Sequence, residues 1–259
     1  MMENVILRDL SIGYTIKGGK KAVATQLNGT INGGELTCLL GRNGVGKSTL
    51  LRTLSAFQPA LGGDVVLQGK PLSDYSDQDL SRLIGVVLTE KPQVRNMTVE
   101  ELVAMGRAPY TGFWGILSKD DRRIVDESIR LVGIDALTHR LVQSLSDGER
   151  QKTMIAKALA QQTPVIYLDE PTAFLDYPSK VELLQLLRRL AHEEQKIIFL
   201  STHDVEISLQ LADKLWLMTP EQLHLGTPHE LAAQGALSTF IEHEGIIFDT
   251  DTLTIQIRK

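Results

Sequence analysis

The segment GRNGVGKST combines three glycines with a lysine and a pair of hydroxyl side chains. Its spacing fits G-x-x-x-x-G-K-[ST], the pattern of a phosphate-binding loop, between the apolar run LTCLL and a helical stretch. Glycines let backbone amides surround phosphate groups, and the amino end of the helix adds favourable dipole charge. Lys47 would neutralise the β- and γ-phosphates of a nucleotide, and Ser48 would bind Mg²⁺. The residues predicted to hold the nucleotide here are Gly41, Arg42, Asn43, Gly44, Val45, Gly46, Lys47, Ser48 and Thr49.

An acidic pair follows the apolar run VIYL in the segment VIYLDEP. Such a run is typical of a buried parallel strand, and ligands bind beyond the carboxyl ends of these strands in open α/β sheets. Asp169 is therefore predicted to hold Mg²⁺ through a water molecule, and Glu170 to orient and deprotonate a water that attacks the γ-phosphate. Without the phosphate-binding loop, the same pair would be only an acidic cap on a strand.

A histidine occupies the matching position after the next apolar run, in KIIFLSTHD. A lone histidine is more often a structural residue than a functional one. Here the parallel strands are expected to end side by side, so His203 should lie beside Asp169. We therefore predict a catalytic role for His203.

The segment SLSDGERQKTMIAKALAQQ contains a serine followed three residues later by a glutamate. Ser146 and Glu149 match a capping box, in which the serine oxygen accepts the amide of the glutamate and the glutamate reaches back to the cap. The residues that follow predict a helix to about Gln161. Asp147 gives this helix start a second carboxylate, which a cap alone does not explain.

Strand and helix patterns alternate along most of the chain, which predicts an α/β fold with a central, largely parallel sheet. Helical periodicity from Thr98 to His139 interrupts the alternation, and the end of the chain alternates as a hairpin would. We expect a single domain over residues 1–259 with an antiparallel β subdomain at its amino end. A helical subdomain would be inserted at about 90–160, and a C-terminal extension with a hairpin would occupy about 226–259.

The bulk composition restricts the class of protein. A net charge of −5 and a pI near 5.7 argue against broad nucleic-acid binding through a basic surface. The one cysteine, Cys38, lies in an apolar run and is expected to be a buried thiol in a reducing compartment. No run approaches the roughly 18 apolar residues of a membrane-spanning helix, and MMENVILRDL does not form a secretory signal. We therefore do not expect the chain itself to enter a membrane.

Five motifs, in their order along the chain, resemble those of ATP-binding cassette (ABC) transporter nucleotide-binding subunits. They are GRNGVGKST, LSDGE, YLDEP, FLD and the histidine of LSTHD. The resemblance runs from Tyr14 to about Gly226. It implies a P-loop NTPase core that binds and hydrolyses ATP with Mg²⁺ in a homodimer. In that dimer the signature motif contacts the γ-phosphate held by the opposite protomer. The signature residues at the nucleotide would be Ser146, Asp147, Gly148 and Glu149.

Two further residues take their roles from the resemblance. Tyr14 would stack on the adenine ring, although it also fits a half-buried aromatic residue of a strand. Asp176 would belong to the loop that communicates between the two ATP sites.

The sequence departs from the family pattern in two motifs. The usual signature is L-S-G-G-Q, whereas LSDGE has two acidic residues, and we expect the Asp147 side chain to point away from the nucleotide. The family also has a glutamine that senses Mg²⁺ and the membrane partner, and spacing puts Thr89 at its position. Either the Thr89 hydroxyl joins the water shell of the metal, with Glu90 close by, or the loop is rearranged so that Gln93 reaches the site. We assign Thr89 to the metal site.

The segment VAMGRAPYTGFWGILSKDD resembles the G-R-x-P segment of ATPases that power import of ferric siderophores, haem and cobalamin. Gly106 and Pro109 also fit a helix end followed by a stop signal. The resemblance implies a peripheral subunit at the cytoplasmic face of the inner membrane, working with a permease and a substrate-binding protein. Tyr110, Phe113 and Trp114 would then help form the surface that receives a permease helix, or would pack locally.

Other functions share parts of this pattern. A soluble ABC ATPase that acts without a permease, for example in cluster assembly, and an exporter ATPase would use the same motifs. A ribosome-associated ABC factor is disfavoured because the chain has no linker or basic extension. A small-molecule P-loop kinase would have no role for LSDGE or for His203.

Overall fold

The computed structural model describes residues 4–17, 19–89 and 94–258. The strands are β1 (Asn4–Ile16), β2 (Gly19–Asn32), β3 (Leu36–Gly41), β4 (Gly62–Leu67), β5 (Lys70–Pro71), β6 (Ile84–Val87), β7 (Val165–Asp169), β8 (Ile197–Ser201), β9 (Lys214–Met218), β10 (Leu223–Gly226), β11 (Ile246–Asp249) and β12 (Thr254–Ile257). The helices are α1 (Lys47–Leu54), α2 (Asp77–Leu83), α3 (Val99–Ala104), α4 (Lys119–Leu131), α5 (Asp147–Ala160), α6 (Tyr177–Glu194), α7 (Val205–Leu211), α8 (Pro228–Ala233) and α9 (Ala236–Ile241). The α/β class predicted from the sequence is confirmed.

Contacts between residues divide the chain into two compact units. Unit 1 consists of Met1–Asp74 and Leu187–Lys259, and unit 2 consists of Tyr75–Leu186. The division falls inside α6.

The central strand of unit 1 is β3, which lies between β8 and β9 and runs parallel to both. Cys38 pairs with Leu200 on one side and with Leu215 on the other. Every residue of β3 is buried, as expected where a parallel sheet is covered on both faces. β10 runs antiparallel to β9, so the sheet is mainly rather than entirely parallel. The continuous apolar runs predict this mainly parallel arrangement.

An antiparallel sheet forms the rest of the β structure at the amino end of unit 1. β1 pairs with β2 and β4, and β4 pairs with β5. Leu10 and Ile12 are fully buried, whereas Tyr14 and Ile16 near the end of β1 are exposed. The strand therefore presents Tyr14 outside the core.

Three helices of unit 2, α3, α4 and α5, pack against one another. Each begins with a capping box, formed by Thr98 and Glu101, by Ser118 and Asp121, and by Ser146 and Glu149. These caps satisfy amides that have no partner inside a helix. The helix start predicted at Ser146 is confirmed. Unit 2 also contains β6 and β7, which pair in parallel.

The chain ends in unit 1 with α8, α9 and the hairpin β11–β12. A capping box of Thr227 and Glu230 begins α8, and Pro228 occupies its first turn, where the missing amide hydrogen costs little. Among the residues that the structure describes, none of the helices combines the length and the apolar character needed to cross a bilayer.

Candidate nucleotide-binding site

The phosphate-binding loop connects the end of β3 to the start of α1 in unit 1. The strand ends at Gly41 and the helix begins at Lys47, with Gly46 as its N-cap. This cap makes no side-chain hydrogen bond, and the first turn contains no acidic residue. Because the first amides of a helix lack partners inside the helix, this end of α1 is suited to bind an anion such as phosphate.

Glycine is required at two positions of this loop. The φ angle is 79° at Gly44 and 120° at Gly46, values that other residues rarely adopt. A Cβ atom on Gly46 would lie 2.6 Å from Cγ1 of Val23. The curved backbone therefore has to remain free of side chains, which fits a cradle for phosphate groups.

Lys47 and His203 meet at the base of the loop. The Lys47 side chain is buried, and its Nζ donates a hydrogen bond of 2.8 Å to the carbonyl oxygen of Gly41. Nε2 of His203 lies 3.4 Å from the same Nζ. His203 reaches this place because it follows β8, the parallel neighbour of β3. A phosphate oxygen could replace the loop carbonyl as the lysine partner with a stronger, charge-assisted bond.

Two other predicted site residues, Tyr14 and Arg42, have side-chain partners in unit 1. The Tyr14 hydroxyl forms a hydrogen bond of 2.8 Å with Oγ1 of Thr49, and Tyr14 is 43% exposed. The guanidinium of Arg42 lies 3.0 Å from Nε2 of His243, which follows α9. Tyr14 is thus tied to the start of α1 with part of its ring open, and stacking on adenine stays a prediction.

Thr89 and Asp169 meet in unit 2. β7 ends at Asp169, and Oγ1 of Thr89 donates a hydrogen bond of 2.7 Å to the backbone carbonyl of Asp169. The hydroxyl oxygen can still accept a hydrogen bond from a water. Gln93, the alternative to Thr89, and Glu90 lie outside the described residues.

Glu170 has an unusual backbone directly after β7. Its φ angle is 48°, a left-handed conformation that costs a residue other than glycine about 1 kcal/mol or more. The carbonyl of Glu170 accepts a hydrogen bond of 3.0 Å from the amide of Ala173. Such strained positions cluster at functional sites, so the backbone is consistent with the base role predicted for Glu170.

The signature turn at the start of α5 is stabilised by its own side chains. The Ser146 oxygen accepts the Glu149 amide at 3.3 Å, and the Glu149 carboxylate accepts the Ser146 amide at 2.8 Å. The Arg140 guanidinium lies 3.2 Å from the same carboxylate. Hydrogen bonds from Ser146, aided by Arg140, lower the pKa of Glu149. Glu149 therefore caps the helix, and the positive charge of Arg140 helps to hold its carboxylate in place.

Asp147 has a basic partner within the same helix. Its carboxylate lies 3.8 Å from the guanidinium of Arg150, one turn further along α5. Neither Arg140 nor Arg150 was predicted as a partner of the signature carboxylates. The spacing of Asp147 and Arg150 is a signal that could have identified that pair, whereas Arg140 lies in a preceding loop and gives none.

A cleft of about 350 Å³ opens beside the signature turn. Its lining includes Ser146 and Gly148 of the signature, and Leu175 and Ser179 from the segment around Asp176. Asp176 accepts a hydrogen bond of 3.1 Å from the amide of Ser179, and hydrogen bonds from Ser179 lower the pKa of Asp176. The signature and the segment around Asp176 thus face one open space in unit 2.

Each unit brings some of the predicted residues together. The phosphate-binding loop, Tyr14 and His203 come together in unit 1. Thr89 and Asp169 come together in unit 2, with Glu170 next in sequence. The signature residues there line a cleft together with Leu175, the neighbour of Asp176 in sequence.

Known proteins are similar to this chain in sequence and in fold. A family model described as ABC transporter matches residues 24–173. An ABC transporter ATP-binding protein of Methanocaldococcus jannaschii is 45% identical over 210 residues, which cover 81% of this chain and 71% of that protein. The iron(3+)-hydroxamate import ATP-binding protein FhuC of Bacillus subtilis is 37% identical over 204 residues, which cover 79% of this chain and 74% of that protein.

A solved structure gives the same result. The cbiO1 protein of Clostridium perfringens, part of the ABC transporter complex cbiONQ, superimposes with a TM-score of 0.77 at 30% identity. The superposition covers 90% of this chain and 92% of cbiO1. These matches confirm the family that the motifs predict. The chain belongs to the ABC transporter family and is one of its ATP-binding subunits.

Proposed function

We propose that this subunit hydrolyses ATP, with Mg²⁺, to power import of an iron-siderophore, haem or cobalamin type substrate through a separate membrane permease. The observation that carries the nucleotide role is the phosphate-binding loop, with an uncapped helix end and a buried lysine at its base. The import role is supported by the similarity to FhuC, whose name describes import of iron(3+)-hydroxamate.

The residues of unit 1 hold the nucleotide in this proposal. Backbone amides around Gly44 and Gly46 bind the phosphates, and Lys47 exchanges its bond to the Gly41 carbonyl for phosphate oxygens. Tyr14 stacks on the adenine ring. His203, close to Lys47, contacts the γ-phosphate.

Water activation is assigned to residues of unit 2. Glu170 accepts the proton of the attacking water, the role of a general base. Mg²⁺, when bound, neutralises charge on the phosphates, and it prefers oxygen ligands such as the Ser48 hydroxyl and the Asp169 carboxylate. Thr89, already bonded to the Asp169 backbone, is assigned to the water shell of the metal.

The signature acts on a second copy of the chain. Ser146 is exposed at the start of α5. Among the described residues outside the helix backbone, a Cβ atom on Gly148 would come nearest to Leu175, at 3.9 Å. A group from outside the chain therefore has room to approach this helix end. We assign that group to the γ-phosphate held by the partner of a homodimer, with Asp176 in the loop that links the two sites.

The permease is assigned to an exposed loop of unit 2. This aromatic loop, residues 110–117, presents Phe113, Trp114 and Ile116 with exposures of 94%, 81% and 75%. Exposed apolar clusters of this kind mark interaction sites. An amphipathic segment of the permease would bury them, which would hold the subunit at the cytoplasmic face of the membrane. The permease would receive its substrate from a substrate-binding protein.

Hydrolysis is tested by phosphate release with ATP and Mg²⁺. Glu170→Gln should lower turnover by roughly 100-fold or more, the usual contribution of a general base. Glu193→Gln, an exposed carboxylate of α6, is the matched control and should keep turnover. Wild-type turnover in Glu170→Gln would refute the base role.

Import is tested by isolating the subunit from gently solubilised membranes of its own cells. We expect an integral membrane permease to co-purify and the ATPase rate to rise in that complex. If the chain stays with the soluble fraction and no integral membrane protein accompanies it, the transport proposal is wrong.

A further inference from the structure

The base of the aromatic loop is held by a buried arginine. Arg107 is 5% exposed, and its Nε donates a hydrogen bond of 2.8 Å to the Asp121 carboxylate at the start of α4. Ser118 donates to the same carboxylate at 2.6 Å. Bonds from Ser118 and Arg107 lower the pKa of Asp121 to about 2, so this carboxylate is ionised near neutral pH. An ion pair thereby joins the two segments that flank the loop.

The same arginine also binds the carboxyl end of the signature helix. Nη1 of Arg107 donates to the carbonyl of Ala160 at 2.8 Å and to the side-chain oxygen of Gln162 at 3.0 Å. The Ala160 carbonyl lies at the negative end of the α5 dipole, where a cation is favoured. The guanidinium therefore satisfies acceptors that α5 itself cannot.

Tyr110 adds a second link between the loop and α5. Its ring lies 4.1 Å from the Arg107 guanidinium, within the range of a cation–π contact. Its hydroxyl donates to the Gln161 carbonyl at 3.0 Å. The backbone before Tyr110 also packs tightly on α5. A Cβ atom on Gly106 would lie only 2.3 Å from the backbone carbonyl oxygen of Lys157.

These contacts make the aromatic loop and the signature turn opposite ends of one body within unit 2. α5 has 14 residues and is about 20 Å long at 1.5 Å per residue. Its carboxyl end is fixed to the loop by Arg107, and its amino end carries Ser146. A helix is stiff, so a displacement of the loop would be transferred to the serine.

We infer that Arg107 is a positioning residue that locks the permease-binding loop to the signature helix, so that movement of the permease changes the position of Ser146. This inference rests on the proposed function, because the loop bears a load only if the permease binds there. Lysine cannot replace arginine in this role, since it lacks the planar fork that bonds Asp121 and Ala160 together and stacks on Tyr110.

The lock can be measured in the isolated chain with spin labels at Ile116→Cys in the loop and Gln151→Cys in α5. The native Cys38 is buried and its pKa is raised to about 12, so it should stay unlabelled. We expect one narrow distance distribution for the nucleotide-free chain. Arg107→Lys should broaden it, whereas Arg123→Lys, an exposed arginine of α4, should not. Equal widths in the Arg107→Lys and unsubstituted backgrounds would overturn the inference.

Asp121→Asn provides a second variant if Arg107→Lys does not fold, because it keeps the side-chain shape and removes the charge that Arg107 pairs with. It should broaden the distribution in the same way, and an unchanged width would again contradict the lock.

A kinetic comparison separates positioning from general stability. In the permease complex, Arg107→Lys should lower the ratio of complex to isolated ATPase rate by about fivefold or more, a typical coupling between sites. A ratio equal to that of the unsubstituted complex would contradict the lock. If no permease complex exists, the proposed function fails, and the spin-label distances still decide whether Arg107 joins the loop to α5.

Discussion

Two helix starts in this protein are both proposed to bind phosphate groups of ATP, but their local chemistry differs. α1 begins after a glycine with no side-chain cap and no acidic residue in its first turn. α5 begins with a complete capping box and has Asp147 and Glu149 in its first turn. One helix end is open to an anion, and the other is closed by its own side chains.

The difference indicates the order in which the two ends bind. The start of α1 can hold a nucleotide in a single chain, because its amides and Lys47 face no competing carboxylate of the same turn. The start of α5 has to exchange the 3.3 Å bond between Ser146 and the Glu149 amide for a phosphate contact. We therefore expect nucleotide to bind first at the phosphate-binding loop, and the signature to engage later, on a second copy.

The largest effect is expected at the open helix end. Lys47→Ala should weaken ATP binding by roughly 10- to 100-fold, the value of one to two lost charge-assisted hydrogen bonds. Titration with a fluorescent ATP analogue measures this. Lys17→Ala, an exposed lysine, should bind as the unsubstituted chain does. Unchanged affinity in Lys47→Ala would refute the role of the loop.

A substitution at the capped helix end should change the rate of hydrolysis rather than the affinity for ATP. Ser146→Ala should leave ATP affinity of the single chain unchanged and lower hydrolysis by about tenfold, because only the contact in the dimer is lost. The lost cap should also reduce the free energy of unfolding by about 1 kcal/mol.

Thr227→Ala is the matched control for this prediction, since it removes the capping box of α8. It should destabilise the chain by a similar amount and keep hydrolysis. If the two variants lose hydrolysis equally, the Ser146 effect is one of stability, and the signature role is wrong.

The smallest effect is expected for the extra carboxylate. Asp147→Gly should keep the ATPase rate or raise it by up to about threefold, because an exposed charge paired with Arg150 contributes little. Asp147→Asn separates the charge from the added flexibility of glycine. A large loss in both variants would show that the carboxylate takes part in nucleotide contact.

Local patterns were sufficient to predict much of the fold. The continuous apolar runs around Cys38 and Tyr167 identify buried parallel strands, because such strands lack polar alternation. The Ser146 capping box could be predicted because a cap depends on residues three positions apart. The phosphate-binding loop could be located because its glycines serve local backbone angles.

The particular bonds between distant residues could not be predicted, even where two residues were assigned to one site. The bond from Thr89 to the Asp169 carbonyl joins residues 80 positions apart. Arg107 bonds Ala160 over 53 positions, and the sequence gives only a helix end and a stop signal there. These partners depend on how the elements pack, which a local pattern does not contain.

In the proposed dimer, the open helix end of one copy and the capped helix end of the other meet around ATP. Glu170→Gln tests it most directly, since this variant should bind ATP without turnover. Size-exclusion chromatography with ATP and Mg²⁺ should show a dimer that returns to a monomer when ATP is removed. A Glu170→Gln chain that stays monomeric at saturating ATP, while binding ATP normally, would show that the two helix ends do not meet around ATP.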